Sequence, residues 1–157
     1  MDTPEDLIHR FYTAFQNKDY RTMQACYADE ASFNDPAFRN LSGYEAGAMW
    51  EMLIHRGSDT TIEYELIKAD DNEAIVRWTA RYSFGPKKRP VVNRIQATIK
   101  VKDGKIIAHT DTFPFYAWAR QALGISGWLL GWTPYVKKKV QKGALSSLAR
   151  FIAKKNE

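Results

Sequence analysis

The sequence predicts a single α+β domain, and three patterns carry that prediction. Alternating stretches follow one another between Thr61 and Thr112 with no helical segment between them, amphipathic helical segments precede them, and another helical run follows. A parallel βαβ design would interleave helices with strands, so this order implies an antiparallel sheet covered by helices. The 157 residues are 45% hydrophobic and 13% aromatic, which excludes a disordered chain and leaves enough apolar material for a real core.

Taken in order, Thr3-Pro4-Glu5-Asp6 is a helix start, with Thr as N-cap, Pro at the first helical position and acids in the first turn. Leu7, Ile8, Phe11, Tyr12 and Phe15 then form an apolar stripe, and Asn17-Lys18-Asp19 ends the helix. A second short helix is expected over Tyr20 to Tyr27. Ala31 to Pro36 reads as a short strand stopped by proline. Ser42-Gly43-Tyr44 opens a third helix carrying Met49, Trp50, Leu53 and Ile54.

In the strands that follow, Ile62, Tyr64 and Leu66 oppose Thr61, Glu63 and Glu65. From Glu73 to Phe84, Ala74, Val76, Trp78, Ala80, Tyr82 and Phe84 oppose Ile75, Arg77, Thr79, Arg81 and Ser83. From Val91 to Lys102, Asn93, Ile95, Ala97, Ile99 and Val101 oppose Val92, Arg94, Gln96, Thr98 and Lys100. Asp103-Gly104-Lys105 is a hairpin turn into a last strand, whose alternation groups Ile107, His109, Asp111 and Phe113 against Ile106, Ala108, Thr110 and Thr112.

Past Phe113 the pattern is helical again through Phe115, Trp118, Ala119, Ala122 and Leu123. A glycine-punctuated aromatic loop from Gly124 to Trp132 is expected next, then a helix starting at Thr133-Pro134. That last helix carries Val136, Val140, Leu145, Leu148 and Ile152 on one stripe, with Lys137, Lys138, Lys142, Arg150 and Lys154 around the rest. Residues 1–114 are read as the main domain and 115–157 as a helical extension packing on it.

The net charge of +5 is unevenly placed. Residues 1–114 hold 15 Lys and Arg against 17 Asp and Glu, whereas residues 115–157 hold 8 against one. Basicity therefore belongs to the tail. The lone Cys26 has no partner within the chain and no Cys/His spacing suggests zinc, so no metal or cofactor is expected. The acidic N-terminus is unlike a secretory signal, and no apolar run reaches the roughly 18 residues of a membrane span. A soluble, reducing, cytoplasmic setting is the expectation.

The face of the last strand decides the chemistry. If His109 and Asp111 point under the helices, loss of hydration would raise the acid toward a range useful for proton transfer, and His109 would steady or exchange that proton. Asn93 and Tyr82 would then donate hydrogen bonds to a developing enolate or alkoxide. The bland alternative is that His109 and Asp111 simply satisfy one another as a buried polar pair. Tyr12, Phe33, Trp50, Trp78, Tyr82, Asn93, Phe113 and Trp118 are the side chains expected to line a ligand cavity, with plain core packing as the competing role for the aromatics.

Three segments, Leu7 to Asp19, Tyr27 to Pro36 and Asp103 to Phe113, together resemble the nuclear-transport-factor-2-like (NTF2-like) superfamily, in its SnoaL-like and ketosteroid-isomerase-like branch. The resemblance implies a cone: a curved antiparallel sheet covered by N-terminal helices and open onto an apolar pocket, here with an added basic C-terminal helical tail. It also implies that Asp35 falls where ketosteroid isomerases keep a general base, and Asp111 where SnoaL-like cyclases and limonene-epoxide-hydrolase-like enzymes keep a pocket aspartate. The isomerase's oxyanion donors do not carry over, because Phe11 stands at the tyrosine position and Gln96 or Ala97 at the aspartate position. The hydrolase's Arg-x-Asp pair is missing too, since the chain offers Arg77-Trp-Thr, Arg81-Tyr-Ser and Arg94-Ile-Gln.

The resulting expectation is a protein that binds a small hydrophobic molecule and acts on it by acid-base chemistry through Asp111, with His109 and Asp35 assisting. The alternative is a non-catalytic ligand- or lipid-binding protein. A homodimer through the outer sheet face bearing Arg77 and Arg81 is expected, and nucleic acid is not. Residues 133–154 are the candidate contact with a membrane surface.

Overall fold

In the computed structural model, which describes residues 2–157, helix α1 (Pro4–Gln16) begins where its caps dictate. The Thr3 hydroxyl accepts from the Asp6 amide while the Asp6 carboxylate accepts from the Thr3 amide. Leu7, Ile8, Phe11, Tyr12 and Phe15 are all buried. Helix α2 (Tyr20–Ala25) stops short of Tyr27, because the Cys26 carbonyl accepts from the Ile106 amide at 2.8 Å and draws the chain into a sheet.

Strands β1 (Tyr27–Asn34) and β2 (Leu41–Ser42) lead to helix α3 (Gly43–Arg56), which a second capping box, Ser42 with Glu45, starts. The meander β3 (Thr61–Ala69), β4 (Glu73–Phe84), β5 (Arg89–Lys102) and β6 (Lys105–Thr112) follows. The six strands form one curved sheet in the order β2-β1-β6-β5-β4-β3. Every pairing is antiparallel except β1 with β6, which run parallel, so the sheet is mixed. Parallel neighbours need a long crossover, supplied here by everything between β1 and β6.

One register detail departs from simple alternation. Lys100 faces Ala108 while Val101 faces Ile106, which leaves Ile107 as the extra residue of a bulge. Ile106 is therefore fully buried and Ile107 only half-buried, the reverse of the expected grouping, while His109 and Asp111 keep their inward side.

Helices α4 (Phe115–Leu123), α5 (Ile125–Leu130) and α6 (Pro134–Lys155) complete the chain. Gln121 holds α4 on the sheet through both the amide and the carbonyl of Val92. The expected aromatic loop is a helix: Trp128 bonds back to the Gly124 carbonyl and Gly131 to that of Gly127. The tail packs on the cone through a stripe of Ala144, Leu148, Phe151 and Ile152, with Leu148 in the main core, whereas Leu145, expected on that stripe, is exposed. Gln141 donates to the Pro36 carbonyl at 2.9 Å, and Lys155 pairs with the largely buried Glu51 at 2.6 Å. Among the described residues no helix is long and apolar enough to cross a membrane.

Candidate functional site

The inward face of β6 carries a chain of polar groups set into aromatic packing. His109 and Asp111 are 1% and 3% exposed. His109 Nε2 lies 3.0 Å from Asp111 Oδ1, and the same oxygen accepts from Trp78 Nε1 at 3.3 Å. On its other side, His109 Nδ1 lies 2.8 Å from the Tyr27 hydroxyl, which accepts from Trp50 Nε1 at 2.9 Å. With Asp111 as the carboxylate, a neutral ring satisfies all of these contacts in one proton arrangement: Trp50 donates to Tyr27, Tyr27 donates to Nδ1, and Nε2–H donates to Asp111. The imidazole is gripped edge-on by Phe33 and Phe11, with ring centroids 4.9 and 5.8 Å away, while the rings of Tyr27 and Trp50 lie nearly parallel to its plane.

Asp111 Oδ2 takes no hydrogen bond from any described residue, and Asp111 lies on the wall of a cavity of about 840 Å³. That volume suits a small organic ligand. Of the expected lining residues, Trp50, Trp78, Tyr82, Asn93, Phe113 and Trp118 stand on the wall together with Asp35 and Asp111. Tyr12 and Phe33 do not, and neither does His109, expected beside Asp111 in the chemistry: each is fully buried behind the wall. Phe15, Phe38, Met52, Leu53 and Ile62 add apolar surface, and Val140, Ala144 and Ser147 bring α6 into the wall.

Two further polar groups stand on the wall. Asn93 is buried and its side chain makes no hydrogen bond to a described residue, so its amide is free to meet a ligand. Tyr82 accepts from Trp118 Nε1 at 2.9 Å, which leaves its own proton to donate. Burial pushes the Tyr82 phenol up, opposed by the Trp118 bond and aided by the Asp35 charge, so it stays protonated. Among the described residues no three His, Cys, Asp or Glu side chains are grouped to hold a metal ion.

The sequence model of the SnoaL-like domain matches residues 8–109. The chain belongs to the SnoaL-like domain family. Solved structures agree on the NTF2-like fold. An LEH-like epoxide hydrolase of M. tuberculosis is 21% identical over 74% of this chain and 86% of its own, with a TM-score of 0.59. A loop-truncation variant of IdmH is 22% identical over 78% of this chain and 100% of its own, with a TM-score of 0.61. A candidate polyketide cyclase of Pseudomonas putida KT2440 is 16% identical over 78% and 99%, with a TM-score of 0.65. No curated protein matches the chain in sequence.

Within this SnoaL-like domain, Asp35 sits just past β1, its Oδ1 accepting the Ala37 and Phe38 amides at 2.7 and 2.5 Å. Lost hydration raises its pKa to about 6; the Phe38 amide opposes that rise, and the Asp111 charge adds to it. Between the ordinary carboxylate value and about 6 the folded state binds a proton that the unfolded chain has released. Stability therefore falls as pH climbs through that window and is flat above it. Asp35→Asn keeps an acceptor for the two amides and should abolish the decline, worth about 1–3 kcal/mol. Urea denaturation of both proteins at about pH 4.5 and about pH 7.5 checks it.

The Tyr27 role was not anticipated, because its signal lies in the parallel β1–β6 pairing, which sets Tyr27 against Ile106 and Phe33 against His109. Tyr12 stacks on Tyr64 at 5.1 Å, yet its buried hydroxyl has no partner. Tyr12→Phe should consequently leave stability unchanged or raise it by about 1 kcal/mol, read from the denaturation midpoint.

Proposed function

We propose that this SnoaL-like domain binds a small apolar carbonyl compound and exchanges the proton on the carbon beside its carbonyl, as a step in isomerisation or cyclisation. The observation that carries this reading is the division of labour on Asp111: one oxygen is held by His109 and Trp78, and the other is left to the cavity. A carboxylate so fixed takes a proton from one direction. His109 acts as a positioning residue, since it reaches the cavity only through Asp111. Asp35, with a pKa near 6, is tuned to accept and return protons close to neutrality. Asn93 and Tyr82 serve as donors to the enolate oxygen. The polyketide cyclase assignment of one structural neighbour is in keeping with such chemistry.

The test is proton exchange in D2O with a panel of small apolar cyclic ketones, followed by proton NMR. Loss of the α-proton signal about 10²-fold or more faster than in buffer is expected. A racemic apolar epoxide forms the second arm, and ring opening without ketone exchange would replace the carbonyl reading with a hydrolase. Ketone binding with neither reaction would make the domain a binder.

A further inference from the structure

Helix α5 is mounted with its small residues inward and its large apolar residues outward. A Cβ on Gly127 would lie 2.0 Å from the Ala119 carbonyl oxygen, and one on Gly131 2.7 Å from the Ala119 methyl group. Backbone therefore packs on backbone against α4, which only glycine permits at these two positions. The opposite side presents Ile125, Trp128 and Leu129 at the i, i+3, i+4 spacing of one helical face, and Trp132 follows in the turn just past the helix. Ile125 is 81% exposed, Trp128 60%, Trp132 70% and the following Tyr135 72%. A contiguous patch of this kind marks an interaction surface.

The flank of the patch identifies the partner. No acidic residue occurs between Asp111 and Glu157. Lys137, Lys138, Lys139 and Lys142, on the first turns of α6, are exposed and make no ion pair with a described residue. A second copy of the chain docked here would bring two such cationic flanks together. A flat anionic surface accepts the cations and the aromatic wedge at once, with Trp and Tyr at the depth they prefer in a bilayer interface.

We propose that α5 and the first turns of α6 form a docking surface for an anionic lipid bilayer, with Trp128 and Trp132 seated at the headgroup boundary and the four lysines on the headgroups. The surface shares Lys137–Lys142 with the 133–154 stretch expected from sequence but takes its apolar side from Ile125–Trp132, since the apolar stripe of α6 is occupied by the cone. Leu123 of α4 and Val140 of α6 line the cavity, so the docking element is bracketed in sequence by cavity-wall segments.

The experiment is co-sedimentation of the full chain with phosphatidylcholine vesicles, with and without phosphatidylglycerol. Binding to the anionic vesicles is expected, with a loss of about tenfold or more for Trp128→Ser/Trp132→Ser and about 100-fold for Lys137→Glu/Lys138→Glu/Lys139→Glu. Circular dichroism verifies folding, and the lysine variant keeps the test decisive if the tryptophan variant misfolds. Wild-type protein left in the supernatant with anionic vesicles, or undiminished binding by a folded variant, overturns the proposal. So does a dimer that Trp128→Ser/Trp132→Ser converts to monomer without any vesicle binding, which would make the patch a self-contact. None of these readouts depends on turnover.

Discussion

Asp111→Asn is expected to lower α-proton exchange by about 10³-fold while leaving the fold intact. The amide oxygen can still accept from His109 Nε2 and Trp78 Nε1, so both buried donors stay paired. Its NH2 then faces the cavity, and an amide nitrogen there has no basic lone pair to take a proton. Asp111→Ala is a different experiment. It strands two buried N–H groups and opens space beside the Trp78 indole, and a cost of about 2–5 kcal/mol is expected from unpaired donors and lost contacts. The pair of variants separates chemistry from structure: Asn should keep the denaturation midpoint and lose the rate, whereas Ala should lose both. An Asn variant with unchanged exchange would remove Asp111 from the reaction.

The second large effect is expected from Tyr27→Phe, at a residue that does not touch the cavity wall. Removing one hydroxyl unpairs Trp50 Nε1–H and His109 Nδ1 together, because the oxygen accepts from the first and its proton goes to the second. Both groups are buried, so a loss of about 2–4 kcal/mol in stability is expected. With Nδ1 released, the neutral ring is free to place its proton on either nitrogen, and the fraction donating from Nε2 to Asp111 falls. Exchange should drop about 10- to 100-fold, by analogy with the loss of a group that orients a metal-bound histidine. Nitrogen NMR of the His109 ring distinguishes this from simple destabilisation. The wild type should show Nε2 protonated and Nδ1 bare, and the variant a mixture. A variant with an unaltered tautomer and an altered rate would contradict the positioning role.

The sequence patterns reached most of the architecture for a physical reason. Alternation along β4 and β5 is strong, with Trp78, Ala80, Asn93 and Ile95 against Arg77, Arg81, Arg94 and Gln96, so the buried face is plain from the residues alone. Thr3-Pro4 and Ser42-Gly43 mark the starts of α1 and α3, where the structure forms two capping boxes. The bulge in β6 escaped because an extra residue breaks the period of two without changing composition. Helix α5 escaped because glycine argues for a loop locally, while its use against Ala119 is a tertiary fact. In the site, Asp111, Trp78, Tyr82 and Asn93 could be nominated from strand face, Trp50 and Trp118 from residue type, and Asp35 through the family resemblance. The Tyr27–His109 contact could not, since it joins residues 82 apart through a parallel pairing that no local signal announces. The recession of Tyr12, Phe33 and His109 behind the wall also follows from packing, not from periodicity.

The most direct measurement is a crystal structure of the protein with a small apolar cyclic ketone bound. The ketone is expected inside the cavity with its α-carbon about 3–3.5 Å from Asp111 Oδ2 and its carbonyl oxygen turned toward Asn93 or Tyr82. A cavity closed by side chains, or Asp111 Oδ2 engaged by a protein donor with the ketone elsewhere, would contradict it.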